Sequence, residues 1–160
     1  MKKVVLFSAM TGQLLMHGEP IRHAKIRRVV NFGETPEDDL TDYTETDGEG
    51  RFTFDEKSHR GLSNYFLIQF ACSQELFVEY KGLEMRFWEG SKSDPEPNAE
   101  ARYEPLNVIC ELSAEKKITS IEGGTYYTQC DWGVLSDPLK DYGGFDTSLT
   151  DDDEGKEVTK

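Results

Sequence analysis

The chain has no apolar run approaching the roughly eighteen residues that a membrane-spanning helix needs, and no stretch keeps a helical hydrophobic period. A membrane helix is therefore not expected, and the body should be overwhelmingly β. Cysteine is scarce and odd in number, at positions 72, 110 and 130. A disulfide framework normally uses an even set, and Cys72 and Cys110 lie inside apolar, strand-like runs, so these read as buried, reduced thiols in a cytoplasmic protein. The three histidines, His17, His23 and His59, form no His-x-x-Glu zinc motif. Nor is there a glycine-rich phosphate loop, a Gly-x-Ser-x-Gly elbow or a Cys-His pair. No cofactor is expected, and neither is catalysis.

Positive charge is also in short supply: 18 Lys and Arg stand against 31 Asp and Glu, for a net charge of −13. The imbalance is uneven. Residues 1–30 hold six Lys or Arg against Glu19, residues 34–56 hold ten acids against Arg51, and residues 137–160 hold eight acids against three lysines. Such a chain repels nucleic-acid phosphates, so the expected partner is another protein with a basic surface. The candidate contact residues are Glu34, Glu37, Asp38, Asp39 and Asp42 in an acidic loop over 33–42, with Asp151, Asp152 and Asp153 in the tail. A solvated surface that only keeps the protein in solution is the plainer reading of the same charges.

Two separated motifs organise what is present. The first is Gly12-Gln-Leu-Leu-Met-His-Gly18-Glu19-Pro20-Ile21-Arg22-His23-Ala24-Lys25-Ile26. The second is Thr44-Glu45-Thr46-Asp47-Gly48-Glu49-Gly50-Arg51-Phe52-Thr53-Phe54, which reads as a hairpin of strands 43–46 and 51–55 about a glycine-bearing turn. Their order resembles the carboxypeptidase regulatory-like, transthyretin-like β-sandwich family over roughly residues 4 to 113. The resemblance implies an all-β fold, an Ig-like Greek-key sandwich. The histidines, arginine and Tyr-Arg-Gly-Ser motif of the family's hydrolases are not matched, since that motif appears nowhere in this chain.

Along the chain, 3–9 reads as a strand with apolar residues on both faces, and Gly12 to Pro20 as a turn enclosing a short extended piece at Leu14 and Leu15. The strand 24–32 faces inward at Ala24, Ile26 and Val30 or Phe32, with a bulge expected at Arg27-Arg28. Residues 56–64 read as a polar loop, and 65–72 as a buried strand pairing with 76–80. Residues 83–88 alternate, with Leu83, Met85 and Phe87 opposed to Glu84, Arg86 and Trp88. The proline-bearing segment 90–105 is a loop or a short helix near 99–103, and Leu106, Val108, Cys110 and Leu112 mark a closing strand. The expected organisation is a sandwich over 1–113, an added hairpin or edge extension over 114–136 and an acidic tail over 137–160.

An EF-hand-like spacing of Glu45, Asp47, Glu49, Gly50 and Glu56 lacks the initial Asp and the flanking helices of a calcium loop, and metal binding is not expected. The reading that remains is a non-catalytic protein-binding domain, an immunity protein or adaptor for a secreted toxin. The alternatives are a carbohydrate-binding module with Trp88, Trp132, Tyr126 or Tyr127 as platform, and a transthyretin-like hydrolase using His17 or His23.

Overall fold

The computed structural model describes residues 3–33, 39–60 and 70–133. These residues form an all-β sandwich with no α-helix among them. One sheet has six strands in the order β11-β12-β9-β8-β4-β5: Lys117–Ile121, Gly124–Thr128, Leu83–Lys92, Cys72–Tyr80, Lys25–Asn31 and Asp39–Glu45. The facing sheet runs β13-β10-β2 (Cys130–Trp132, Leu106–Glu111, Met10–Met16), with β3 (Glu19–Pro20) and β6 (Arg51–Phe54) sharing the far side of β2. A two-stranded ribbon, β1 (Lys3–Phe7) with β7 (Lys57–Arg60), prolongs the β2–β6 pair past a break at residues 8–9 and 55–56.

Strict alternation locates the core. Leu106, Val108, Cys110 and Leu112 are all buried, as their spacing predicts. Strand β1 is buried at Val4, Val5, Leu6 and Phe7, because the 93–105 loop covers its second face and the Pro95 carbonyl accepts from the Val5 amide. Gly12, between Met10 and Leu14 on the inner face, leaves room for its neighbours' side chains. A Cβ there would lie 2.5 Å from the Phe52 ring and 2.7 Å from Val108.

Several expectations are corrected. Met10–Met16 is one continuous strand, not a turn with a short extended piece, and its parallel partner is β10. The 43–55 segment is no hairpin: β5 belongs to one sheet and β6 to the other. Asp47 holds this inter-sheet corner by accepting from the amides of Glu49 (2.8 Å) and Arg51 (2.9 Å). Gly50 takes φ 78, and any Cβ would strike the Leu14 carbonyl at 2.6 Å.

No bulge occurs at Arg27-Arg28, where the register is unbroken toward both neighbours. Arg28 simply takes the inward position between Ile26 and Val30. Its guanidinium pairs in fork geometry with Asp42 (2.9 and 2.8 Å) and lies over the rings of Phe54 and Phe7. The bulge is instead in β9, where Leu76 pairs with Trp88 and Phe77 with Arg86, leaving Phe87 extra. That one residue turns the consecutive Phe87 and Trp88 both inward, so the expected opposition of Trp88 to Phe87 does not hold.

Residues 57–60 pair with β1 and are no loop. Strand β8 runs unbroken from Cys72 to Tyr80, and the partners of 76–80 are β4 and β9. Residues 61–69 lie outside the described set.

Candidate functional site

The densest polar chemistry lies beneath the 93–105 loop, which carries a 3-10 turn at Ala99–Ala101. Glu100, flanked by two alanines, is completely buried. Its carboxylate accepts from the Ser8 amide (3.0 Å), the Ser8 hydroxyl (2.6 Å) and Gln74 Nε2 (2.9 Å). Gln74 Oε1 in turn accepts from Trp88 Nε1 (3.0 Å), and the Glu100 carbonyl from Trp132 Nε1 (2.9 Å). Every donor pointing at this knot is thereby answered, which is the condition for burying polar groups at all. Trp88, Trp132 and Tyr126 enclose it, with Trp88 and Trp132 centroids 4.9 Å apart.

Beside the knot sits Lys92, also completely buried, whose Nζ donates to the carbonyls of Asp94 and Glu96 (2.7 Å to the latter). Burial pulls its pKa below the usual lysine value, against the opposing charge of Glu100. Directly across the ladder stands Cys72, with its thiol pushed up to about 12 by burial, so it is no thiolate at neutral pH. These groups face one another and the backbone. None of the described clefts is lined by Lys92, Glu100 or Cys72.

The cysteine expectation is overturned at Cys110 and Cys130, which are joined by a disulfide between β10 and β13. Both are cross-strand partners, completely buried. The sequence hides this because twenty residues separate them, and the intervening hairpin returns the chain to the facing sheet. Disulfides persist in oxidising compartments, so the argument for a reducing one loses its premise.

The sandwich is open on the side where both sheets end, at β11 and β13. Lys117 of β11 pairs with Asp131 of β13 across this opening. A shallow groove of about 600 Å³ runs along it, lined by Asn107, Val108, Ile109, Lys117, Asp131, Trp132 and Gly133. Ile109 (54% exposed) places an apolar side chain in this groove, while Ile118 and Tyr127 are exposed on the outer face of the other sheet. Among the described residues strand β13 pairs with β10 alone. On its outer side the Cys130 amide donates to the Thr128 hydroxyl (3.0 Å) and the Cys130 carbonyl accepts from it (3.2 Å), so only the remainder of that edge is without a partner among them.

Among the sequence candidates, Asp39 begins β5, and Asp42 lies in the same strand, engaged with Arg28 and 3.6 Å from Lys57. Residues 39–42 are thus strand and not loop. Glu34, Glu37, Asp38, Asp151, Asp152 and Asp153 lie outside the described residues. His17 and His23 occupy exposed turns at φ 54 and 53, and no described cleft is lined by either. As glycan platforms, Trp88, Tyr126 and Trp132 are ruled out by burial, at 0%, 0% and 4% exposed, while Tyr127 carries Lys116 over its ring. Residue type and pattern do not single out Glu100, Lys92 or the disulfide. Arg28 alone had a signal, an inward place in an otherwise apolar alternation.

Three carboxylates outside the knot contribute to the acid sensitivity of the fold. Glu111 accepts from the Ser113 hydroxyl and from the amides of Gly18, Ser113 and His17, which hold its carboxyl down at about 2 against an ordinary 4.5. A depressed folded-state value means the stabilisation is complete above the unfolded value and disappears as pH falls through the folded one. Asp42 (despite its burial) and Asp47 are lowered too, by Arg28 and by backbone amides respectively. The melting temperature is therefore expected to fall steadily between about pH 5 and pH 2. Glu111→Gln should make that fall shallower, as read by thermal unfolding across the range.

The open-flanked arrangement of two sheets around one polar knot defines a β-sandwich domain. Residues 10–115 match the family model described as Domain of unknown function (DUF6795), and the chain belongs to that family. The match spans β2 to β10 and ends just ahead of β11, so the β11–β13 segment that builds the open flank follows it. No curated protein and no solved structure matches the chain.

Proposed function

We propose that this protein is a non-catalytic, transthyretin-like sandwich that binds another protein, serving as an immunity protein or carrier for a secreted toxin. The observation that carries the reading is the contrast between inside and outside. Buried ionisable groups are committed to internal partners, Glu100 to Ser8 and Gln74, Arg28 to Asp42, and Lys92 to two carbonyls. An apolar side chain, Ile109, is instead exposed beside strand β13, which pairs with β10 alone among the described residues. A partner strand added to β13 gains main-chain hydrogen bonds from the edge and side-chain contacts from the groove. The net charge of −13 favours a basic partner and speeds its encounter. The β10–β13 disulfide favours an oxidising compartment over the cytoplasm.

The test is co-expression with the product of the neighbouring gene, followed by affinity measurement on the purified complex. Ile109→Asp puts a charge on the outer face of β10 without entering the core. It is expected to weaken the complex by about tenfold or more with little change in melting temperature. Charge reversal at Glu37, Asp38 and Asp39 should slow association and lessen its salt dependence. Unchanged affinity in both variants, or no complex at all, contradicts the proposal.

A further inference from the structure

A second concave feature lies apart from the open flank, between the 98–103 turn and the turn joining β11 to β12. It is a cleft of about 300 Å³ lined by Ala99, Arg102, Tyr103, Glu122 and Gly123. Its walls are in direct backbone contact: a Cβ on Gly123 would come within 2.1 Å of the Ala99 carbonyl oxygen, so only glycine lets the two turns close on each other.

The backbone of the upper wall is held in a costly shape. Asn98, Arg102 and Tyr103 all adopt positive φ, at 63, 53 and 71, where glycine is the unstrained residue. Hydrogen bonds from the Ala101 and Tyr103 amides to the Asn98 carbonyl (2.9 and 2.7 Å) fix the turn. Two large side chains thus stand where the smallest residue would fit best. Tyr103 is 57% exposed, yet its hydroxyl donates to Asp94 at 2.5 Å, which orients the ring without covering it. An aromatic surface that is both wet and oriented binds at little entropic cost.

The charges around it select the ligand. The Asp94, Glu122 and Glu96 carboxylates all act on the Tyr103 phenol, which disfavours an anion. Arg102 lines the same cleft and adds a positive charge beside it, which disfavours a cation. A neutral ligand with an apolar face and many hydroxyls suits both: its C–H face stacks on the ring, its hydroxyls donate to Glu122 and accept from Arg102. We propose that this cleft is a saccharide subsite, with Tyr103 as its stacking wall and Arg102 and Glu122 as its hydroxyl-binding groups. The cleft size suits one sugar unit of a longer chain. This function is additional to protein binding and independent of the β13 edge.

Titration calorimetry or amide NMR with glucose, galactose, N-acetylglucosamine, maltotriose, cellotriose and chitotriose tests it on the full chain. At least one of these probes is expected to bind, with shifts centred on residues 99–103 and 122–124. Tyr103→Asn keeps a residue that tolerates positive φ while removing the ring, and should weaken binding about tenfold. Tyr103→Trp should retain binding, and Glu122→Gln, in an exposed turn, should weaken it independently of the 98–103 backbone. Binding by none of the six probes overturns the proposal, as does binding that both Tyr103→Asn and Glu122→Gln leave unchanged. Ile109→Asp should not alter saccharide binding, which keeps this result separate from the partner test.

Discussion

Glu100→Ala is expected to lower the unfolding free energy by about 3–5 kcal/mol, the scale for removing one member of a buried, hydrogen-bonded charge cluster. The deletion leaves the Ser8 amide, the Ser8 hydroxyl and Gln74 Nε2 without their acceptor. Each unsatisfied buried donor costs about 1–3 kcal/mol. It also removes the carboxylate that helps keep the buried Lys92 charged. Glu100→Gln preserves shape and one acceptor oxygen, so its loss should be smaller. Urea unfolding followed by the emission of Trp88 and Trp132, which hydrogen-bond into the knot, reads both. A change below about 1 kcal/mol for Glu100→Ala contradicts the place given to this knot.

Reduction of Cys110–Cys130 is expected to cost about 3 kcal/mol, from the chain entropy released when a loop closed over twenty residues is opened. Cys110→Ser with Cys130→Ser should reproduce the loss. Strand β13 is only three residues long, and its pairing is to β10 alone, so the cross-link is a large part of what retains it. Trp132 gives the remainder by packing on Trp88 and Tyr126. Thiol titration of the unfolded, unreduced protein should find one group, Cys72. Finding all three cysteines reactive before reduction contradicts the pairing.

How far the sequence foretells this structure depends on whether a feature is local. The alternation Leu106, Val108, Cys110, Leu112 needs only its own period to declare a half-buried strand, and β10 is there. The hairpin expected within 114–136 is there as β11–β12, although the chain then leaves it for β13 in the facing sheet. The Asp47-Gly48-Glu49-Gly50 turn was also legible as a reversal of direction. That its flanking strands separate into different sheets was not, because sheet membership is decided by distant partners, β4 for one and β2 for the other.

The same limit governs the site. Arg28 looked like a break in the pattern because an inward arginine is costly unless a carboxylate meets it, and Asp42 fourteen residues on does so. Glu100 lies ninety-two residues from Ser8, and neither carries a mark of burial in its own neighbourhood. The bulge at Phe87 shifts Trp88 from the outer to the inner face by a single residue, which no periodicity announces. The exposed ring at Tyr103 carries no periodic signal, since it sits in a proline-bounded turn and not on a strand.

The central claim is that the outward edge of β13, beside Ile109, is where another protein attaches. Hydrogen–deuterium exchange on the purified complex with the co-expressed partner tests it most directly. Slowed exchange on complex formation at residues 130–133, with the outer face of β4 and β8 unaltered, is the expected result. Unchanged exchange at 130–133 in a complex that nonetheless forms contradicts the claim.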